Sequence, residues 1–330
     1  MLSLHVSSLV KEKKEMKKLL FIILLVMVIL NIGFSIESNN NIASINLKSE
    51  NIISVKNKKL KFSPEWLSAI ASVVSSISTV LIIIQIRKSS KDKIEDRLFR
   101  LIDLHKKNVD DLIIIDSKTM SGQEIIMKIC NEVNFIIHIL DINPNCITDF
   151  NEKDKKVFAY LFLCHGIALG SNPWFKSNYV FKKYAKEELI ELVLNNITSY
   201  NLDPDNCDNL LLFPRNGFIN AISRYFRQLF QIIKFIDEQK FISKKEKYQY
   251  IKILRSSLTN REEEFIFDNS ISPYGSAWIE KNYFLKYKII KNIPFYYIYG
   301  YDPVTWFIDE FNISQKDVSK YFEHYEYKEA

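Results

Sequence analysis

The side chains able to do chemistry in this 330-residue chain are charged groups set inside apolar helical patterns. Around NAISRYFRQLFQIIKFID (220–237), Phe218, Ile222, Phe226, Leu229, Ile233 and Ile236 fall on one helix face, and Arg224, Arg227, Gln231 and Lys234 on another. Downstream, Arg255 stands in an apolar context and is followed by Glu262, Glu263 and Glu264. Cations on one helix and carboxylates on the next suit two antiparallel helices joined by ion pairs, each worth about 0–1 kcal/mol where exposed. Glu262 has a second reading: it lies three residues after Thr259, the spacing of a capping box, which Ser243 and Glu246 repeat. Arg100 and His105 form a further pair, a guanidinium and an imidazole separated by four residues.

No phosphate loop, Gly-rich nucleotide fingerprint, HExxH helix or nucleophile elbow is present, and seven glycines leave little room for one. Cys130, Cys146, Cys164 and Cys207 lack any CxxC spacing, and the five histidines do not accompany them. The sequence therefore predicts no metal site and no cofactor, and it carries no recognisable catalytic motif.

The elements that must position these groups are helical. Ile94, Leu98, Leu101, Leu104, Val109 and Leu112 repeat at helical spacing over Lys91–Ile115. Further helices are expected near 123–141, 151–169, 185–198, 217–238, 244–257, 260–269, 276–290 and 315–325, with turns at Asn143-Pro144, Asp203-Pro204, Ser272–Gly275 and Asp302-Pro303. The aromatic stretch 293–308 reads as less helical, an extended cover or a contact surface. The expected fold is all-α: an N-terminal transmembrane helical hairpin over residues 1–93, then one cytoplasmic multi-helix domain over 94–330.

The hairpin rests on two uncharged apolar segments, Leu19–Ile36 and Leu67–Ile86, of 18 and 20 residues. A bilayer core about 30 Å thick needs roughly 20 residues of helix. Lysines precede the first segment, Arg87, Lys88, Lys91 and Lys93 follow the second, and the loop 37–66 carries five lysines. The positive-inside rule then puts both termini in the cytoplasm and the loop outside, as a multi-pass protein of a bacterial inner membrane. A competing reading starts at Met16, treats the first segment as a signal peptide cleaved near Gly33–Ser35, and keeps the same orientation. Ser68, Ser72, Ser75 or Ser76, and Thr79 share a helix stripe that would let the first segment or a second copy pack closely.

Charge is divided unevenly. Residues 1–93 hold 14 Lys+Arg and 6 Asp+Glu, a net +8, whereas 94–330 hold 31 and 33, a net −2. The soluble part lacks the polybasic footprint of bulk nucleic-acid binding. The lipid bilayer is the expected partner of the basic end.

Two resemblances attach to these residues. The Arg100–His105 spacing resembles the arginine–histidine motif of HEPN ribonucleases, which implies phosphodiester chemistry, although the intervening LIDL lacks the polar residue often found there. RYFRQLFQIIKFID (224–237), YIKILRSSLTNREEEFIFDNSIS (250–272) and RLFRLIDLHKKNVDDL (97–112) resemble phage abortive infection proteins of the AbiC type, whose members typically begin with two membrane segments. Carried over, the matching positions are His105, Asn108, Tyr225, Phe226, Arg227, Arg255, Glu262 and Asn269. Arg224 departs from the histidine usual there, and Ser256 and Ser257 from alanine and glutamine. The resemblance implies a membrane-anchored antiphage defence protein triggered by a phage or host protein. A membrane-tethered ribonuclease using Arg100 and His105, and a membrane scaffold or signalling adaptor docking a partner through 293–308, are the competing functions.

Overall fold

The computed structural model describes residues 64–115, 119–202, 217–293 and 299–323. The first apolar segment, most of the loop after it, the Met16 start, Cys207 and the Asp203-Pro204 turn lie outside the described residues. The chain divides into two compact units, Met1–Lys88 and Ser89–Ala330.

Helix α1 runs Pro64–Asp110. Within it Val73, Ile77, Val80, Ile82, Ile83, Ile84 and Ile86 are exposed. It is the one helix among the described residues long and apolar enough to cross a membrane. Three of its hydroxyls are satisfied internally: Ser76 Oγ donates to Ser72 O, Ser78 Oγ to Val74 O and Thr79 Oγ1 to Ser75 O, each at 2.9 Å. Such back-bonding removes the cost of a polar group in lipid without a partner helix.

The helix expected to reach Ile115 stops at Asp110. Ile113–Ile115 (β1) instead pairs antiparallel with Thr119–Ser121 (β2), Ile114 opposite Met120. Three consecutive β-branched residues prefer the extended backbone, and Gly122, at φ +59°, turns the chain into the next helix. Apart from this short ribbon the regular elements among the described residues are helical, as the all-α reading expects.

In the second unit the helices are α2 (Gln123–Ile142), α3 (Glu152–His165), α4 (Ala168–Ser171), α5 (Pro173–Ser177), α6 (Glu187–Leu202), α7 (Ile219–Asp237), α8 (Lys244–Arg255), α9 (Asn260–Ile271), α10 (Ser276–Glu280), α11 (Tyr283–Tyr287), α12 (Pro303–Phe311) and α13 (Gln315–Val318). Helices α2 and α3 pack together and both pack on α9, whose residues from Glu262 to Ile271 are all buried. Helix α7 packs on α3 and α8, and α8 also meets α11.

Several expected helices are corrected. The 151–169 helix breaks after His165, where Gly166 takes φ +56°. The 276–290 helix splits at Lys281–Asn282 because Asn282 is left-handed, and α11 ends on left-handed Lys288. The 315–325 helix is a single turn. Within 293–308, α12 forms where an extended cover was expected: Asp302 Oδ1 accepts from the amides of Val304 and Thr305, and Pro303 occupies the first turn. It buries Trp306 and Phe307 against Phe284 and Phe322. The segment is core more than contact surface. Residues 294–298 of it lie outside the described residues.

A buried carboxylate centre and an open groove

Three elements bring polar side chains to one buried point. Helix α1 contributes His105 and Asn108, α7 contributes Tyr225, and the first turn of α9 contributes Glu262, each less than a tenth exposed. Thr259 caps α9: its hydroxyl accepts from Glu262 N, and Glu262 Oε2 accepts in return from Thr259 N at 2.8 Å. The capping box expected from sequence therefore exists, as does that of Ser243 and Glu246 on α8. Gln123 Nε2 donates to Glu262 Oε2 at 3.0 Å, and the Tyr225 hydroxyl donates to Oε1 at 3.2 Å. His105 Nε2 lies 3.6 Å from Oε1, ion-pair distance and just beyond a hydrogen bond, with the Tyr225 ring 4.9 Å away.

Burial alone would raise the Glu262 pKa. Contacts from His105, the Thr259 amide and Gln123 outweigh it and hold the carboxyl below its ordinary range. Glu262 is thus an anion with donors on both oxygens, and Tyr225, pushed well up by burial and by Glu262, is a neutral phenol. His105 Nδ1 and Asn108 Oδ1 have no hydrogen-bond partner among the described residues.

The other carboxylates of α9 have different partners. Glu263 accepts from Asn292 N at 2.7 Å, and burial pushes it up to about 8 despite Arg255 nearby. Glu264 pairs with Arg261 at 2.6 Å and accepts from Asn134. Asp268 faces Lys156 at 3.4 Å, both side chains fully buried, and its pKa is raised by burial in spite of the lysine.

The inter-helix ion pairs expected between the α7 cations and Glu262–Glu264 are therefore replaced by contacts from α1, α2 and α9 itself, from the Tyr225 hydroxyl and from the Asn292 amide. Arg224 and Arg227 are exposed, and Lys234 pairs with Glu238 on its own helix at 3.8 Å. Arg255 is buried and donates to Lys288 O at 2.9 Å, satisfying the carbonyl end of α11. Arg100 and His105 part company: Arg100 is exposed and His105 is 1% exposed. Five residues on an α-helix separate side chains by roughly 140°.

Phe226, Arg227 and Asn269 meet elsewhere, along a groove of about 270 Å³ bounded also by Tyr160, Tyr274 and Trp278. Asn269 Nδ2 donates to the Tyr160 hydroxyl at 2.8 Å on its floor. Tyr274 reaches the rim because the Pro273–Gly275 turn lies directly on α9. A Cβ on Gly275 would sit 2.2 Å from Ser270 Cα, so only glycine allows that approach. Phe265 separates groove from centre, its ring 4.6 Å from Phe226 and 5.6 Å from Tyr225.

Tyr160, Tyr274, Lys156 and Asp268 were missed from sequence. The last had a readable signal, a carboxylate flanked by Phe265, Ile266, Phe267 and Ile271. Among the described residues no cluster of three or more His, Cys, Asp or Glu could hold a metal.

Fold and site together define a helical domain organised on a buried, multiply hydrogen-bonded glutamate beside an aromatic groove. Residues 217–298, which span α7 to the end of α11 and beyond, match the family model described as "Putative phage abortive infection protein". The resemblance seen from sequence is thus shown for this segment, which holds Tyr225, Phe226, Arg227, Arg255, Glu262 and Asn269. His105 and Asn108 lie outside it and reach it only through the fold. No curated protein and no solved structure matches the chain.

Proposed function

We propose that this is a membrane-anchored antiphage defence protein of the abortive-infection kind, whose helical domain senses infection or carries the response. The observation that carries the reading is the family match over 217–298. The anchor reading is supported by the apolar, exposed part of α1 and by the cluster of basic residues from Arg87 to Lys93. In this reading the trigger is a phage component or a host protein altered by infection, and second copies assemble through the membrane helix. Helix α1 connects the two roles, because the same continuous helix that is apolar near Ile82 presents His105 to Glu262. Movement or assembly of that helix would be felt at the first turn of α9. Plating a broad phage panel on cells that express the chain tests the proposal: fewer plaques than on the empty control support it, and unchanged counts throughout refute it.

A further inference from the structure

The turn that joins α7 to α8 presents a ring that the core does not claim. Phe241 is 78% exposed, although Ile242 beside it is buried, and Lys240, Lys244 and Lys245 around it are exposed as well. The turn is held firmly: Gln239 Nε2 donates to Phe235 O at 2.6 Å, Lys247 Nζ donates to Asp237 O, and the Ser243–Glu246 capping box starts α8. The carboxylates of these elements are engaged elsewhere, Asp237 by Tyr287 and Lys286, Glu238 by Lys234 and Glu246 by Lys91. Among the described residues no carboxylate pairs with Lys240, Lys244 or Lys245. Lys244 and Lys245 also open α8, where the helix dipole favours anions, so the helix itself gives no reason for them.

Three contacts fix where along α1 this turn sits. Arg97 lies over the Phe235 ring at 4.6 Å, the Tyr250 hydroxyl donates to Glu95 Oε1 at 2.8 Å, and Lys91 meets Glu246 at 3.3 Å. Helix α8 therefore starts at Lys91 and runs beside α1 toward Glu95 and beyond, which leaves the turn before it at the Lys91 end. Lys91 follows Ile86, the last residue of the apolar segment, by five residues, and five residues of chain reach no farther than about 18 Å. A bilayer that takes the apolar segment thus has its headgroups within reach of the turn. An exposed ring set among unpaired lysines has the make-up of a surface that enters the interface of an anionic bilayer. We infer that the α7–α8 turn is a second lipid contact, with Phe241 inserted just below the headgroups and Lys240, Lys244 and Lys245 on the phosphates of anionic phospholipids. This rests on the anchor reading proposed above, and the experiment separates the failure of one from the failure of the other.

The test is tryptophan quenching in the full-length chain, reconstituted into nanodiscs of phosphatidylcholine alone or mixed with phosphatidylglycerol, the lipids carrying bromine on their upper acyl carbons. The ring added by Phe241→Trp should be quenched in the mixed discs and less in phosphatidylcholine alone, relative to the wild type in the same discs. A ring added by Tyr179→Trp, an exposed site near the opposite, N-terminal end of α7, should not be quenched in either. Changing Lys240, Lys244 and Lys245 together to Gln in the Phe241→Trp chain should lower the ratio of docked to undocked turn on the order of a hundredfold, the combined value of three lysines at an anionic surface, and leave the urea midpoint unchanged. A wild type that does not enter the discs removes the anchor reading and this inference with it. A chain that enters them overturns the inference alone if the ring added by Phe241→Trp is quenched by aqueous iodide and not by the brominated lipid, as for a surface kept for a soluble partner. Equal quenching with and without the three lysines overturns it too.

Discussion

Of the four carboxylates that helix α9 buries, Glu262 and Asp268 lie less than two turns apart, and the protein treats them oppositely. Glu262 receives hydrogen bonds from Thr259, Gln123 and Tyr225 with His105 beside it, and stays ionised below its ordinary pKa. Asp268 has one lysine at 3.4 Å, and its two oxygens lack hydrogen-bond partners among the described residues, so burial dominates and its pKa rises. Both are hidden from water, Asp268 the more deeply. The number of donors, set against depth, decides whether a buried carboxylate is an anchor or a liability.

The largest effect is expected where compensation is thinnest. Lys156→Ala leaves Asp268 alone in an apolar interior and should cost about 3–5 kcal/mol in urea unfolding of the full-length protein in detergent. The double change Lys156→Met with Asp268→Leu removes the problem at similar volume and should be neutral or stabilising. A large loss in the double variant would mean that the pair is an anchor like Glu262.

Glu262→Gln keeps the shape of the well-supplied centre but offers an amide to donors that need acceptors. About 1–3 kcal/mol should be lost, less than for Lys156→Ala. The reverse order in the same unfolding series would break the comparison.

Acidity sharpens it further. Glu263 has a folded pKa of about 8 against an ordinary value of 4.5, so the folded chain keeps a proton that the unfolded chain has lost. Its contribution is complete below pH 4.5 and is lost as pH rises through 8. Between these values the stability should fall by about 1 kcal/mol per pH unit from this group. Glu262, with its pKa lowered, acts in the opposite sense: its contribution is present above the ordinary carboxylate range and lost as pH falls through the folded value. Glu263→Gln should flatten the alkaline slope and leave the acid limb in place, as read from urea midpoints across pH. The smallest effect belongs to the surface: Lys234→Ala breaks a half-exposed pair with Glu238 and should change the midpoint by less than about 0.5 kcal/mol.

Much of this was legible in the chain. Periodicity located α2, α7, α8 and α9 to within a few residues, because long amphipathic repeats, with Ser243 and Thr259 capping α8 and α9, leave little choice. The α12 helix was not located, although Asp302-Pro303 is a helix start as well as a turn, and the aromatic density around Trp306 masked the cap. The carboxylate run was harder. Three consecutive glutamates suggest a solvated face, and only the fold shows that α1 and α2 bring His105 and Gln123 to Glu262. His105 and Glu262 are 157 positions apart, so local pattern carries no sign of their contact. The Arg100–His105 spacing shows the converse, since proximity along a helix did not put the two side chains on one face.

Phage plating at matched protein abundance most directly tests whether the joint between α1 and α9 serves defence as well as packing. Wild type, His105→Gln and Lys156→Met would be compared on one phage that the wild type restricts. The expected result is that His105→Gln loses protection at normal abundance while Lys156→Met loses it only in proportion to lost protein. Protection by His105→Gln equal to wild type would contradict the role given to the joint, and no protection by the wild type against any phage would contradict the defence function itself.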